Sequence, residues 1–213
     1  MYNDCWGTSG WTIVDYYLRK KASYYMVQKA YSAVLLSLMV QNNTASIYLI
    51  NDTLNEYKGC TAAISVVNFN NEYHCKTFDK VTINKNCSKM FYEFDLSEIE
   101  PSNHYVFMRI SDNAGNLLYE NVDFFGDYKD LNIPKAVLSY ELQTENEKVL
   151  LKIKSNALAL NVRISADDDT ECSDNFFYMQ SGEIKEVMIQ KGKTKEDIFL
   201  SCLNSDDVLT INI

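Results

Sequence analysis

The stretch HYVFMRISD (104–112) places Val106, Met108 and Ile110 at every second position, with Phe107, Arg109 and Ser111 between them. Successive side chains of an extended chain point to opposite sides, so this alternation describes a strand with one buried face. The turn residues Asp112-Asn113-Ala114-Gly115 follow, and NLLYENVDFF (116–125) returns as a partner strand.

Working outward, the same period recurs in both directions. Upstream lie AVLLSLMVQ (33–41), the Asn42-Asn43 turn, ASIYLIND (45–52), GCTAAISVVNF (59–69) and MFYEFDL (90–96). Between the last two, NNEYHCKTFDKVTI (70–83) has hairpin character and is entered through the turn-forming run Asn68 to Asn71. Downstream, GDYKDLNIPK (126–135) breaks the alternation with Gly126, Pro134, two Asp and two Lys, which marks a domain boundary.

A second strand set then runs from AVLSYELQ (136–143) through the Glu145-Asn146 turn into KVLLKIKS (148–155), with Val149, Leu151 and Ile153 facing in. LNVRISA (160–166) turns Leu160, Val162 and Ile164 inward, and NFFYM (175–179), IKEVMIQ (184–190), DIFLSCL (197–203) and DVLTINI (207–213) complete the set. Two groups of roughly seven short strands, each over ~80–100 residues, predict two tandem immunoglobulin-like sandwiches. No strand alternates with a helix, which excludes a parallel α/β sheet. One helix is expected, over DYYLRKKASYYMVQKAY (15–31), with Asp15 as N-cap, a stripe of Leu18, Ala22, Tyr25 and Met26, and Lys29 in the last turn. The expected class is therefore mainly β: one leading helix and two tandem β-sandwiches.

Composition narrows the function. Hydrophobic residues at 46% and charged residues at 23% of 213 are ordinary for a globular chain, which argues against disorder. A net charge of -9 excludes nucleic acid as a partner, because that affinity rests on cations neutralising phosphates. The densest basic cluster, Arg19-Lys20-Lys21, is expected to be a solvated helix face. The longest near-apolar run, 33–40, falls short of the ~20 residues a spanning helix needs, so no membrane partner is expected. Asp4 and Asp15 interrupt the region where a secretory signal would have its apolar core.

The six cysteines, 5, 60, 75, 87, 172 and 202, form no C-x-x-C pair. Cys60 is in phase with Ala62, Ile64 and Val66, and Cys202 with Ile198 and Leu200, so reduced core thiols are expected. A cytoplasmic setting is favoured, with the compartment left open. N-x-S/T sequons at Asn42, Asn51 and Asn86 matter only in a eukaryotic secretory context.

Catalytic chemistry is poorly supplied. His74 and His104 make no helical pair, and His74 and Cys75 point to opposite faces of a strand, so no metal site is expected. No phosphate-binding or dinucleotide-binding glycine motif occurs, and no cofactor is implied. Asp167, Asp169 and Glu171 have the spacing of the first Ca²⁺-loop ligands, but Cys172 stands where the loop needs Gly and Tyr178 where it needs Glu. The run DDDTECSD (167–174) is therefore expected to be a solvated acidic turn, and Glu98 and Glu100, ended by Pro101, a loop rather than a catalytic pair. The opening, MYNDCWGTSGW (1–11), remains. Trp rings suit the C–H faces of sugars, and Asn3 and Asp4 suit hydroxyls, yet Trp6 and Trp11 are equally readable as core aromatics.

The stretch NDCWGTSGWTIVDYYLRKKASYYMVQKAYSAVLLS (3–37) resembles a segment of β-mannosidase-like members of glycoside hydrolase family 2. That segment reads N-D-C-W-P, then a Trp, then D-Y-Y-x-R-x-K-x-x-Y-Y and a run into A-P-V-L. The matching residues are Asn3, Asp4, Cys5, Trp6, Trp11, Asp15, Tyr16, Tyr17, Arg19, Lys21, Tyr24, Tyr25, Val34 and Leu35. NVDFF with KDLNIP resembles the family's junction into its last domain, and SDNFFYMQSGE (173–183) a recurrent segment of that domain. Gly7 stands where the family usually has Pro.

The resemblance implies that 1–32 is the end of a catalytic (β/α)8 barrel (its last strand loop and last helix), 33–127 the first sandwich and 128–213 the C-terminal one. It implies a C-terminal, non-catalytic fragment of a retaining exo-β-mannosidase-like hydrolase, whose sandwiches support the barrel and whose substrate is a β-mannoside oligosaccharide. Both catalytic Glu would precede residue 1, so the catalytic residues in this chain number none, and the chain alone is expected to be inactive. Trp6 carries over as a wall of the substrate pocket, with Asn3 and Asp4 beside it, and Trp11 as packing. The apolar surface of 1–31, without its barrel, is expected to dock on the first sandwich, to drive self-association, or to lose order. Two alternatives stand: β-galactosidase or β-glucuronidase specificity within the same family, or a carbohydrate-binding or adhesive sandwich using Tyr105, Phe107 and Arg109 as a platform.

Overall fold

A computed structural model describes residues 2–6, 10–145, 148–165, 171–190 and 197–211. It resolves into two compact units, Tyr31–Ile133 and a second made of Met1–Ala30 with Pro134–Ile213.

The first unit holds β1 (Val34–Gln41), β2 (Thr44–Asn51), β3 (Tyr57–Asn68), β4 (Tyr73–Ile83), β5 (Cys87–Asp95), β6 (His104–Ser111) and β7 (Leu117–Phe124). They form a three-stranded sheet, β1-β2-β5, and a four-stranded one, β4-β3-β6-β7. Asn42 and Asn43 join β1 to β2 with φ of 47° and 65°, the left-handed pair that a two-residue hairpin requires and asparagine tolerates. In register, Val106, Met108 and Ile110 lie opposite Val66, Ile64 and Ala62. Apart from Val66, which is partly buried, these side chains are buried, and they pack against Leu36, Ala45, Ile47 and Leu49 of the facing sheet. Each fully buried Val, Leu, Ile or Met side chain among them contributes about 1.5–3 kcal/mol by leaving water. Cys60 is fully buried in the same cluster, as its phase predicts.

Tyr105 departs from expectation. Its ring is buried and stacks on Phe69 with centroids 5.8 Å apart, while Arg109 ion-pairs with Glu120 at 2.7 Å. The proposed aromatic platform of Tyr105, Phe107 and Arg109 is therefore not formed: its leading ring is covered.

The second sandwich contains β8 (Leu138–Glu145), β9 (Lys148–Ser155), β10 (Ala159–Ser165), β11 (Glu171–Cys172), β12 (Phe177–Met179), β13 (Ile184–Gln190), β14 (Ile198–Ser201) and β15 (Leu209–Ile211). Sheets β11-β13-β9-β8 and β12-β10-β14-β15 enclose Val149, Leu151, Ile153, Val162, Ile164, Val187, Ile189, Ile198 and Leu200. Glu171 and Cys172 pair with β13, so part of the expected acidic turn is strand; Asp167 and Asp169 lie outside the described residues. β12 starts at Phe177 because Asn175 takes a strand residue's place with its side chain. Its Oδ1 accepts from Ile164 N–H at 2.9 Å and its Nδ2 donates to Ile164 C=O at 2.7 Å.

The helix, α1, spans Ala22–Ala30 and does not begin at Asp15. Asp15 Oδ1 accepts from the Arg19 backbone at 2.9 Å, Oδ2 takes the Arg19 guanidinium at 2.7 Å, and Leu18 adopts φ 65°. The same carboxylate that would cap a helix instead closes a left-handed turn. Tyr25 of α1 lies 5.8 Å from the Phe176 ring, and residues 1–30 group with the C-terminal sandwich in one compact unit.

Candidate functional site

The N-terminal segment is held in shape by its backbone. Asn3 bridges Val14 in parallel, Val14 bridges Lys20 in antiparallel, and Asp4 N–H donates to Val14 C=O at 3.1 Å. Val14, Thr12 and Asp4 are buried. Lys21 Nζ directs its three protons to Asp4 Oδ2 at 2.8 Å, Thr12 Oγ1 at 3.0 Å and Gly10 C=O at 3.2 Å. The Lys21 and Thr12 hydrogen bonds hold the Asp4 carboxyl below its ordinary pKa. Lys21 is thus not part of a solvated helix face but the tie that closes the segment. Nothing in sequence spacing marks a cation pairing seventeen residues back.

A methyl group on Gly10 would sit 2.0 Å from Asp4 Oδ1. Gly10→Ala is therefore expected to expel the carboxylate and raise the Asp4 pKa toward its normal value, read by NMR titration of the side-chain carboxyl. The sign is fixed by the depressed folded pKa. The tie is complete above the ordinary carboxylate range and is lost as pH falls through the lowered value.

With Asp4 committed to Lys21, the loop presents aromatic side chains. Trp6 is 77% exposed and Trp11 96%, so Trp11 does not pack within the described chain. Tyr2, Tyr16, Tyr17 and Leu18 are exposed on the same segment, and Asn3 is exposed with its Nδ2 only 3.5 Å from Asp4 C=O. A cleft of about 630 Å³ opens between this segment and the C-terminal sandwich, lined by Arg19, Lys20, Tyr25, Arg163, Cys172 and Phe176. Burial pushes the Cys172 thiol up to about 11 and the Tyr25 phenol up to about 12, so neither is a nucleophile or base near neutral pH. Among the described residues no cluster of His, Cys, Asp or Glu has the arrangement of a metal site.

Residues 43–130 match the model of the mannosidase Ig/CBM-like domain, and residues 133–204 that of the Ig-fold domain which follows it. The chain belongs with the C-terminal region of β-mannosidase-like glycoside hydrolases of family 2. Beta-mannosidase B of Aspergillus clavatus is 25% identical over 169 residues, covering 70% of this chain and 20% of that protein. Beta-mannosidase B of Aspergillus niger is 42% identical over 45 residues, covering 21% of this chain and 5% of that one. The crystal structure of the β-D-mannosidase of Dictyoglomus thermophilum superposes with a TM-score of 0.83 at 26% identity, over 97% of this chain and 26% of that one. The exo-chitosanase of Amycolatopsis orientalis shares the fold, with a TM-score of 0.70 at 14% identity over 99% of this chain and 30% of that chain. The chain thus spans about a fifth of the length of the family's β-mannosidase B from A. clavatus.

Proposed function

We propose that the chain is the C-terminal, non-catalytic part of a retaining exo-β-mannosidase-like hydrolase, and that its two sandwiches brace a catalytic (β/α)8 barrel. The observation that carries this reading is the N-terminal segment. Its residues match the family's N-D-C-W stretch, its fold is fixed by the Asp4–Lys21 tie, and yet its two Trp rings face solvent. Exposed aromatics in a structured segment fit a surface that another domain completes.

In this reading residues 1–32 are the last loop and helix of the barrel, and sandwiches follow over 33–127 and 128–213. Barrel active sites lie at the C-terminal ends of the strands, which puts Trp6 in the wall of the sugar pocket, with Asn3 at its edge. Asp4 acts through the loop that carries Trp6. Retaining chemistry needs two carboxyls about 5–5.5 Å apart, one as nucleophile and one as acid/base; the barrel would supply both. The substrate class is an oligosaccharide ending in β-linked mannose.

Two measurements test this. The chain alone is expected to show no hydrolysis of an aryl β-mannoside, while a chain extended through the barrel hydrolyses it. In the extended enzyme, Trp6→Ala is expected to lower kcat/KM about 10-fold to 100-fold, equal to roughly 1.4–2.7 kcal/mol of lost transition-state binding. Turnover by the chain alone would sink the reading.

A further inference from the structure

Edge strand β4 turns polar side chains toward the sandwich interior. Register partners share a face, and His74 pairs with Val66 and Lys76 with Ile64, both of which face the core. Across the gap, Tyr92 and Phe94 of β5 sit in register with Ile47 and Ala45, so they too point inward. Their rings stack with centroids 5.6 Å apart, and Tyr92 meets Phe78 at 5.2 Å. The two sheets are not closed over these rings. A slot of about 660 Å³ opens there, lined by both histidines of the chain, with Glu72, Asp95 and Glu98 at its rim.

His104 is already engaged: Nδ1 lies 2.9 Å from Glu100 C=O and Nε2 lies 3.4 Å from Asn68 Nδ2. His74, Glu72 and Glu98 have no hydrogen-bond or ion-pair partner for their side chains among the described residues. An inward charge on an edge strand is a common guard against strand pairing, and that accounts for Lys76, whose ammonium lies 5.9 Å from the Phe78 and Tyr92 rings. It does not account for stacked rings left open beside unpaired polar groups.

We propose that this slot binds one pyranose ring of a neutral oligosaccharide. The Tyr92 and Phe94 rings offer an apolar surface for the C–H face of a sugar. Glu72 and Glu98 accept from hydroxyls, Lys76 donates to them, and His74 can donate or accept. Three rim carboxylates against one ammonium disfavour an anionic sugar. A wholly apolar ligand would bury polar groups without partners. A slot of this size suits a single small ligand. The proposal is independent of the catalytic reading: it concerns a binding site on the first sandwich and requires no barrel.

The test is an amide NMR titration of the whole chain with β-1,4-mannotriose and cellotriose, and with a uronic-acid trisaccharide as the anionic counterpart. Saturable shifts confined to β4, β5 and residues 95–99 are expected with a neutral trisaccharide, at a Kd of about 1 mM, with the anionic one at least tenfold weaker. Tyr92→Ala is expected to weaken binding at least tenfold and Tyr92→Phe to retain it. Because Tyr92 also packs on the core, His74→Ala and Glu72→Ala, both at exposed positions, serve as the second pair, each expected to weaken binding severalfold. The proposal is overturned by the absence of saturable shifts up to about 20 mM of either neutral sugar, by shifts on another face, or by binding that His74→Ala and Glu72→Ala leave unchanged. Hydrolysis by the barrel-extended enzyme is a separate readout, so failure here and failure of the catalytic reading are distinguishable.

Discussion

Asn51→Ala is expected to destabilise the first sandwich by about 2–4 kcal/mol, because it removes a fully used buried amide. Asn51 has no solvent exposure. Its Nδ2 donates to Asn55 C=O and Asn84 C=O, each at 2.9 Å, and its Oδ1 accepts from Thr53 N–H at 2.9 Å and Thr53 Oγ1 at 2.8 Å. An asparagine side chain has two donor protons and two lone pairs, so every one is taken. The residue ties the end of β2 to the 53–55 loop and to the connection between β4 and β5. Alanine would leave all four of these groups without their Asn51 partner. Asn51→Asp keeps the acceptor but loses both donors and places a charge against two carbonyls, so its cost is expected to be at least as large. Amide hydrogen exchange provides the measurement. Val106 and Met108 amides should exchange about 30-fold to 1000-fold faster, with Val149 and Leu151 of the second sandwich unchanged as internal control. Unchanged exchange at Val106 would show that the tie is dispensable. The same burial excludes the Asn51 sequon from carrying a glycan in the folded chain, whereas Asn42 and Asn86 are exposed.

The strands were legible because their signal is local. In HYVFMRISD the period of two fixes which residues face the core, and Val106, Met108 and Ile110 are buried accordingly. The same holds for Val149, Leu151 and Ile153. What sequence could not reveal is where one side chain has two possible uses. Asp15 fits a helix cap and a left-handed turn equally well, and only Leu18 at φ 65° distinguishes them. Tyr105 has the phase of an outward residue, yet Phe69, thirty-six positions away, covers it. β11 has two residues, too few to show any period. At the candidate site, the Trp-rich opening was visible as an oddity, but Lys21 as its tie was not. The slot of the first sandwich was hidden for the same reason. His74 and His104 are thirty residues apart, and they converge only because β3 pairs with β4 on one side and β6 on the other.

Asn204→Ala is expected to cost the second sandwich about 2–3 kcal/mol, through a loop residue whose side chain holds three backbone groups. Its Nδ2 donates to Pro134 C=O at 2.7 Å and to Leu158 C=O at 2.8 Å, and its Oδ1 accepts from Leu160 N–H at 2.9 Å. Pro134 is where the chain enters this sandwich ahead of β8, and Leu158 and Leu160 flank the start of β10 and are buried. The backbone adds a fourth contact, Ala136 N–H to Asn204 C=O at 3.0 Å, which alanine retains. The loss therefore falls on the side-chain bonds, and chiefly on Leu158 C=O and Leu160 N–H, whose burial denies them water. Val149 and Leu151 amides should exchange about 30-fold to 150-fold faster while Val106 and Met108 stay protected, the mirror of the Asn51 result. Asn204→Asp separates the two halves of the argument. It keeps an acceptor for Leu160 N–H but sets a carboxylate against the Pro134 and Leu158 carbonyls, so it should be no better than alanine if the donors matter. If Asn204→Asp instead matches the parent chain, the acceptor alone holds β10 in place and the Pro134 contact is incidental.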